Sequence, residues 1–379
     1  MASSDPDLPA PRAVIDCAAF HHNLDAVRSY VGPDVRIMAV IKANGYGHGM
    51  EHLAREAAVH GITDFGVARV QEGVILRQAG FAQRTIVFES PAPASVREAL
   101  RHDLTLTIAD PALLDVVGAE ARSAGVKARV QVKVDTGMGR LGLPADQGAA
   151  LVVRVARSPH VMLTGTYSHF ATSEDPDTTF AWQQLDRFQA FLEDVRRSGV
   201  DLPERHMANS GAIMTMPAAH FDMVRPGIML YGYPPGQGMA ERFPVRPVLS
   251  LVSRVAFVKQ VEPGTSISYG RRFLAARRTW IATVPMGYGD GYSRLLTGKA
   301  QALINSRRYP VVGTICMDQL MVDLGDQCSV AVGDEVRFLG ASGAERITAW
   351  DVASLTGTIP YETTCAITPR VPRLYHGCR

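Results

Sequence analysis

Cysteine is scarce in this sequence, strong net charge is missing, and no apolar run is long enough to cross a bilayer. The five cysteines, Cys17, Cys316, Cys328, Cys365 and Cys378, are scattered and include no Cys-x-x-Cys pair, so their spacing suggests no zinc or other metal site. Lys and Arg number 39 against 37 Asp and Glu, a formal net charge of +2. That balance gives no electrostatic reason to expect nucleic acid or an acidic membrane as a partner. Charge or glycine interrupts every apolar run well short of the ~20 residues a spanning helix needs. The first residues, Met1-Ala2-Ser3-Ser4-Asp5-Pro6, carry neither the basic nor the apolar region of a secretory signal. The expectation is a cytoplasmic protein with reduced thiols. What is present is ordinary for a globular enzyme: 46% hydrophobic and 20% charged residues in a chain of 379. That length accommodates two domains, or one large barrel with an appendage.

The hydrophobic pattern changes character part-way along. Up to about residue 240, short apolar runs at 36–41, 64–68, 85–88, 104–108, 128–134, 161–167, 204–208 and 222–225 alternate with helical patterns. The helices include Ala18–Tyr30, Gln71–Ala79, Pro111–Ala124 and Phe180–Arg197, the last with Leu185, Phe188, Leu192 and Val195 on one face. Eight strands alternating with helices predict a (β/α)8 barrel of the TIM type. No Gly-x-Gly-x-x-Gly follows the first strand, which disfavours a dinucleotide fold. After the Pro- and Gly-rich stretch 232–244, helical periodicity nearly vanishes. Strands are predicted at 249–258, 279–284, 299–304, 309–312, 320–324 and 335–338, with one helix at 349–355. The division is therefore a barrel over 1–240, with the leader 1–12 able to pack elsewhere, and a mostly β domain over 241–379.

In a barrel of this kind the active site lies at the C-terminal strand ends. The first strand ends on Lys42, followed by Ala43-Asn44-Gly45-Tyr46-Gly47-His48-Gly49. The fifth delivers Lys133 and the turn Asp135 to Gly142 with Arg140. The sixth delivers His169, the seventh His206 to Ser210, and the eighth Arg225-Pro226-Gly227-Ile228. A strand-end lysine alone is as readily a snorkelling cation as a nucleophile. Arg140 and Arg225 could simply pair with Asp135 and Asp222, and His169 could be a core histidine. Lys133 within an apolar strand must pair, lose its proton or be modified. A reactive lysine, several cations, and hydroxyl and glycine positions after the last strands together suggest pyridoxal phosphate (PLP).

Several long motifs in order make the chain similar to the alanine racemases, from about Ala13 to Tyr375. They include Val40 to Gly49, Lys133 to Gly142, Ser168-His169-Phe170-Ala171, His206 to Ser210 and Val224 to Ile228. Gly287 to Tyr292, Cys316-Met317-Asp318-Gln319 and Gly357 to Glu362 follow. The resemblance implies a homodimer that interconverts L- and D-alanine with PLP, supplying D-alanine for peptidoglycan. Lys42 is then the lysine that binds PLP and one catalytic base, and Tyr269 the second base. Tyr269 lies in Ser266-Ile267-Ser268-Tyr269-Gly270 and is contributed by the other subunit. Arg225 is implied at the pyridine nitrogen with His169 beside the ring. Tyr46, Asn209, Ser210, Gly227, Ile228 and Tyr361 are implied as further cofactor contacts. Arg140, Met317 and Asp318 are implied on the substrate side, and Lys133 as a carbamylation candidate. Two fixed bases on opposite faces suit racemisation, because one base need not swing between them.

Thr314 stands where the family pattern is basic, Asn305-Ser306 replaces an Asn-Gly turn, and Phe88-Glu89-Ser90 departs from an apolar, glycine-containing strand end. None of these touches the bases. Three other readings compete on these residues. A non-catalytic PLP-binding barrel lacks the β domain. A basic-amino-acid decarboxylase of related architecture uses a cysteine where Ser268-Tyr269 stand. A racemase of serine or of broader specificity is poorly separated from an alanine enzyme.

Overall fold

The computed structural model describes residues 10–236, 238–239 and 243–378. The chain divides into two compact units: one holds residues 20–45 and 50–246, the other 10–19, 46–49 and 247–378. The anticipated boundary at 240/241 falls on Ala240 and Glu241, outside the described residues.

The first unit is a barrel of eight parallel strands: Arg36–Val40, Asp64–Val67, Arg84–Val87, Thr105–Ile108, Ala128–Asp135, Val161–Tyr167, Arg205–His206 and Met223–Val224. They pair in chain order from the first to the seventh, and the eighth pairs with the first. Between the seventh and eighth, main-chain bonds from Asp222 to the Arg205 carbonyl (3.1 Å) and from Arg225 to the Ala208 carbonyl (2.9 Å) bring the ring close to closure. The strands are near-continuous apolar runs because both faces are covered, and Ile86, Leu106, Val130 and Val132 are fully buried.

Local chemistry sets the helix ends. For Pro111–Ala124, Asp110 accepts the Leu113 N–H, Pro111 opens the first turn and Gly125 takes the left-handed C-cap. In Thr179–Arg197 the buried stripe uses Phe191 rather than the expected Leu192, which is half-buried. Steps of three and four residues from Phe188 lead to Phe191 and Val195.

The second unit contains a large sheet and differs from expectation in three respects. The strand Arg12–Asp16 belongs here and not to the barrel range. It pairs antiparallel with Leu249–Arg254 and parallel with Arg373–His376, burying Ala13 and Ile15. The predicted strand 249–258 is two strands, Leu249–Arg254 and Phe257–Val261. At Val255 and Ala256 the backbone switches partners, bonding to Asp334 and Thr283 respectively. A second helix, Pro360–Cys365, is too short for hydrophobic periodicity to reveal.

The thiols also depart from expectation. Cys17 and Cys378 form a disulfide, their Cα atoms 5.0 Å apart, a separation within disulfide reach. The parallel pairing of Asp16 with His376 delivers the two cysteines to the same end of neighbouring strands. Cys316, Cys328 and Cys365 are free. Among the described residues, no helix is long and apolar enough to cross a membrane.

Candidate active site

Lys42 sits where the first barrel strand stops, half-buried. The chain beyond it does not make an ordinary turn. Ala43, Asn44, Gly45 and Tyr46 all have positive φ, between 52° and 61°, a short left-handed coil that costs roughly 1–2 kcal/mol for each residue carrying a Cβ. Three bonds within the barrel unit hold it: Gly45 N–H to the Ile41 carbonyl (2.9 Å), Ala43 N–H to the Glu72 carboxylate (2.7 Å) and Met50 N–H to the Asn44 side-chain oxygen (3.0 Å). Strain kept in place this way is characteristic of functional sites.

The fifth strand ends in a loop organised by Asp135. Its carboxylate accepts the N–H groups of Gly137, Met138 and Gly139 at 2.8–2.9 Å, so it is engaged by the loop that presents Arg140. The return of this loop requires glycine. Gly142 has φ +104° and a Cβ there would stand 2.6 Å from the Lys133 carbonyl oxygen. Gly142→Ala is expected to destabilise the protein by about 1–3 kcal/mol, visible as a lower urea midpoint with an unchanged slope. An unchanged midpoint would show that the loop relaxes freely.

Arg225 is almost completely buried and richly held. Its Nη1 donates to His206 Nδ1 at 2.6 Å; its Nη2 faces the Ser168 carbonyl (2.7 Å), the Met207 carbonyl (3.0 Å) and His169 Nδ1 (3.1 Å). Asp222 is paired instead with Arg205 at 2.9 Å. The simple ion pairs open to Arg140 and Arg225 on sequence grounds are therefore taken by other groups. Burial, aided by Arg140 and opposed by Tyr167, lowers the Arg225 pKa to about 10, so it stays protonated at neutral pH.

His169 is held well below its ordinary value, first by burial and then by Arg225, Arg140, Lys133 and Lys42. It is thus a neutral imidazole in the field of these basic side chains, with Arg225 in direct contact. Lys133, 3% exposed, donates to the Val134 carbonyl at 2.7 Å. Burial, then Arg225 and Arg140, bring its pKa to about 7 against the opposing pull of Asp135.

After the seventh strand, Ser210 opens the short helix Ser210–Thr215, and its hydroxyl oxygen accepts the Gly227 N–H at 3.0 Å. Asn209, expected as a cofactor contact, has a structural part as well. Its side-chain oxygen caps that helix, accepting from Ala212 N (3.0 Å) and Ser173 Oγ (2.7 Å). Gly227 and the fully buried Ile228 lead a 3-10 turn. The donor set of this unit is cationic and hydroxyl- and amide-rich, and the Asp135 and Glu72 carboxylates beside it are taken up by backbone N–H groups. It fits an anionic, phosphate-bearing aromatic group such as PLP.

In the β unit Tyr269 is 72% exposed. Ser268, with φ +66°, turns the chain outward just before it. The turn is pinned by Ser268 Oγ donating to the Thr314 carbonyl (2.5 Å) and Thr314 Oγ1 donating to the Tyr269 carbonyl (2.7 Å). Thr314, expected to touch neither base, instead bonds the Tyr269 main chain and is part of the device that presents it. Met317 is half-exposed, and Asp318 bonds Arg370 at 2.7 Å. The rings of Tyr46 and Tyr361 lie 5.9 Å apart within this same unit. Sequence reasoning did not assign roles to His206, Gln131 or Tyr167 behind Arg225. Polar residues at alternate positions of otherwise apolar strands were the available signal.

Residues 15–235 match the alanine racemase N-terminal domain and 248–375 the alanine racemase C-terminal domain. The chain is 43% identical to the alanine racemase of Symbiobacterium thermophilum, over 96% of this chain and 97% of that protein. It is also similar to the crystal structure of alanine racemase from the D-cycloserine producer Streptomyces lavendulae, with a TM-score of 0.92 and 37% identity over 98% and 99% of the two chains. The Clostridium difficile alanine racemase in complex with cycloserine matches with a TM-score of 0.91 and 32% identity over 97% and 96%. Two matched domains, in order and over nearly the whole chain, show that this chain belongs to the alanine racemase family.

Proposed function

We propose that this protein interconverts L- and D-alanine with PLP, acting as a homodimer in the cytoplasm and supplying D-alanine for cell-wall precursors. The carrying observation is the basic strand-end set Lys42, Lys133, Arg140 and Arg225, all of which depress the pKa of His169, with Arg225 Nη2 3.1 Å from His169 Nδ1. PLP bound through a lysine amine supplies electron withdrawal from the substrate Cα, acidifying its C–H bond. Ser210, Gly227 and Ile228, with Tyr46 and Tyr361, are assigned to hold the phosphate. Arg225 would face the pyridine nitrogen, and because a guanidinium offers only donors, it would favour that nitrogen as a bare acceptor and so moderate the electron withdrawal that PLP would supply.

Arg140 orients the substrate carboxylate, with Met317 and Asp318 on the substrate side. Lys42 and Tyr269 hold or deliver the Cα proton on opposite faces. The high exposure of Tyr269 supports a site completed by a second copy of the chain. The test is formation of D-alanine from L-alanine by purified protein with added PLP, with serine, lysine and arginine run alongside. Turnover should be greatest with alanine. No visible absorption band on adding PLP, or no exchange of the Cα hydrogen in heavy water, overturns the proposal.

Lys133 is proposed to carry a carbamate. An amine with a pKa of about 7 is substantially neutral at physiological pH, and the neutral amine adds to CO2 with loss of one proton. The resulting anion would offset Arg140 and Arg225. With 13C-bicarbonate, a carbamate carbon signal absent from Lys133→Met is expected. Its intensity should rise as pH increases through 7, because deprotonation supplies the reactive amine. A signal indifferent to the substitution overturns this assignment.

A further inference from the structure

Behind Arg225 the barrel interior holds an unbroken line of buried polar groups that the proposed chemistry does not use. At its base, Glu204 receives Arg84 Nη2 at 2.7 Å and an ion pair from Arg36. Arg84 also bonds Asp64, with Nε 2.6 Å from its carboxylate. The other Glu204 oxygen accepts from Gln131 Nε2 at 2.7 Å, Gln131 Oε1 faces His206 Nε2 at 2.7 Å, and His206 Nδ1 faces Arg225 Nη1 at 2.6 Å. Gln131 and His206 are wholly buried and Glu204 is 1% exposed. His206 also stacks on Tyr167, the rings 4.9 Å apart and 6° from parallel.

Donor and acceptor logic determines every proton along this line. A carboxylate paired with two arginines accepts only, so the Gln131 amide must turn its nitrogen toward Glu204 and its oxygen toward His206. An amide oxygen also accepts only, so His206 carries its proton on Nε2. Arginine donates only, which independently requires His206 Nδ1 to be bare. Both ends of the chain thus demand the same neutral tautomer. Burial, followed by Arg225, Arg84, Arg36 and Lys133, holds the histidine well below its ordinary pKa. Each bond donates in one direction, from the mouth of the barrel to its base, so the dipoles align and reinforce one another.

We propose that Gln131 and Glu204 are positioning residues for Arg225, converting the charge of Glu204 through an oriented amide and a tautomer-locked imidazole into a fixed guanidinium. This rests on Arg225 being the group that faces the pyridine nitrogen. With acceptors holding both Nη1 and Nη2, the guanidinium is restrained against rotation.

The test begins on the protein without PLP, so that it stands apart from the cofactor reading. In 15N-histidine-labelled protein, the His206 ring, assigned by the signal lost in His206→Gln, should show one tautomer with a slowly exchanging Nε2 proton. Its absence from the unsubstituted protein overturns the proposal without recourse to any Gln131 variant. Gln131→Met keeps the side-chain length and removes both bonds. It should give a mixture of tautomers and a faster-exchanging ring proton. Reloaded with PLP, the variant should show a shifted visible absorption band, and kcat should fall about tenfold or more with KM little changed, since a misaimed group raises the barrier more than it weakens binding. A single unchanged tautomer in Gln131→Met overturns the proposal. A changed tautomer with unaltered absorption and kcat overturns the link to Arg225's role while leaving the alanine assay of the preceding proposal intact.

Discussion

Replacing Lys42 by alanine is expected to cut racemisation by about 10⁴-fold or more, because one residue is asked to supply both covalent attachment and a base. The loss should not come from unfolding. Positive φ begins at Ala43, after Lys42, and the bonds holding the left-handed coil come from Glu72, Asn44 and the Ile41 carbonyl. Thermal and urea midpoints should therefore stay near those of the unsubstituted protein. Mixed with PLP, the variant should lack the absorption band that disappears from the parent on borohydride reduction. Proteolysis of the reduced parent should place the cofactor mass on the peptide containing Lys42. A small primary amine added to the variant should restore Schiff-base absorption but little turnover, because a diffusing amine is not held over one face of Cα. Cofactor mass on a peptide containing Lys133 instead would transfer the nucleophile assignment to that lysine. Its pKa of about 7 makes it the natural competitor.

The barrel was legible because its strands are buried on both faces and read as unbroken apolar runs, and because their spacing leaves room for a helix after each. The ends of those strands were legible for a related reason: a charged or glycine-rich residue interrupts the run. That is how Lys42, Arg140, His169 and Arg225 stood out. The pairing of Arg12–Asp16 with Leu249–Arg254 and Arg373–His376 joins segments far apart in the chain, and no local pattern encodes a partner at that distance. The Cys17–Cys378 disulfide follows from that same pairing and was hidden with it. Four successive left-handed residues after Lys42 were equally invisible, since Asn44 and Gly45 tolerate such φ values singly while Ala43 and Tyr46 disfavour them. The helix-capping bonds of Asn209 to Ala212 and Ser173 were not legible, because a capping asparagine and a ligand-binding one look alike in sequence. Gln131 escaped notice because an isolated glutamine in an apolar strand has no motif. Its significance lies in the two groups it bridges.

Tyr269→Phe removes only a hydroxyl, from a ring that is 72% exposed, and its turn is held by Ser268 and Thr314 without the phenol. Folding and PLP absorption should be unchanged, while racemisation falls by about 10²–10⁴-fold, the span typical of a lost general acid–base group. The two directions must fall together, because L- and D-alanine are equally stable and a catalyst cannot move their equilibrium. Hydrogen exchange in heavy water separates the faces. The enantiomer whose Cα–H points to Lys42 should still take up deuterium, without inversion. The enantiomer whose Cα–H points away from Lys42 should lose exchange. Equal loss for both enantiomers would mark Tyr269 as structural, and undiminished racemisation would remove it from the mechanism. Combining the two substitutions tests where Tyr269 acts. If it serves the barrel of another subunit, mixing inactive Lys42→Ala with nearly inactive Tyr269→Phe creates mixed dimers. In each of these, one site carries both defects and the other carries none. Activity should then reappear as subunits exchange, and its rate of return should follow the dissociation of the dimer. If Tyr269 serves its own barrel, every site in the mixture retains one defect, and turnover stays at the level of the separate variants.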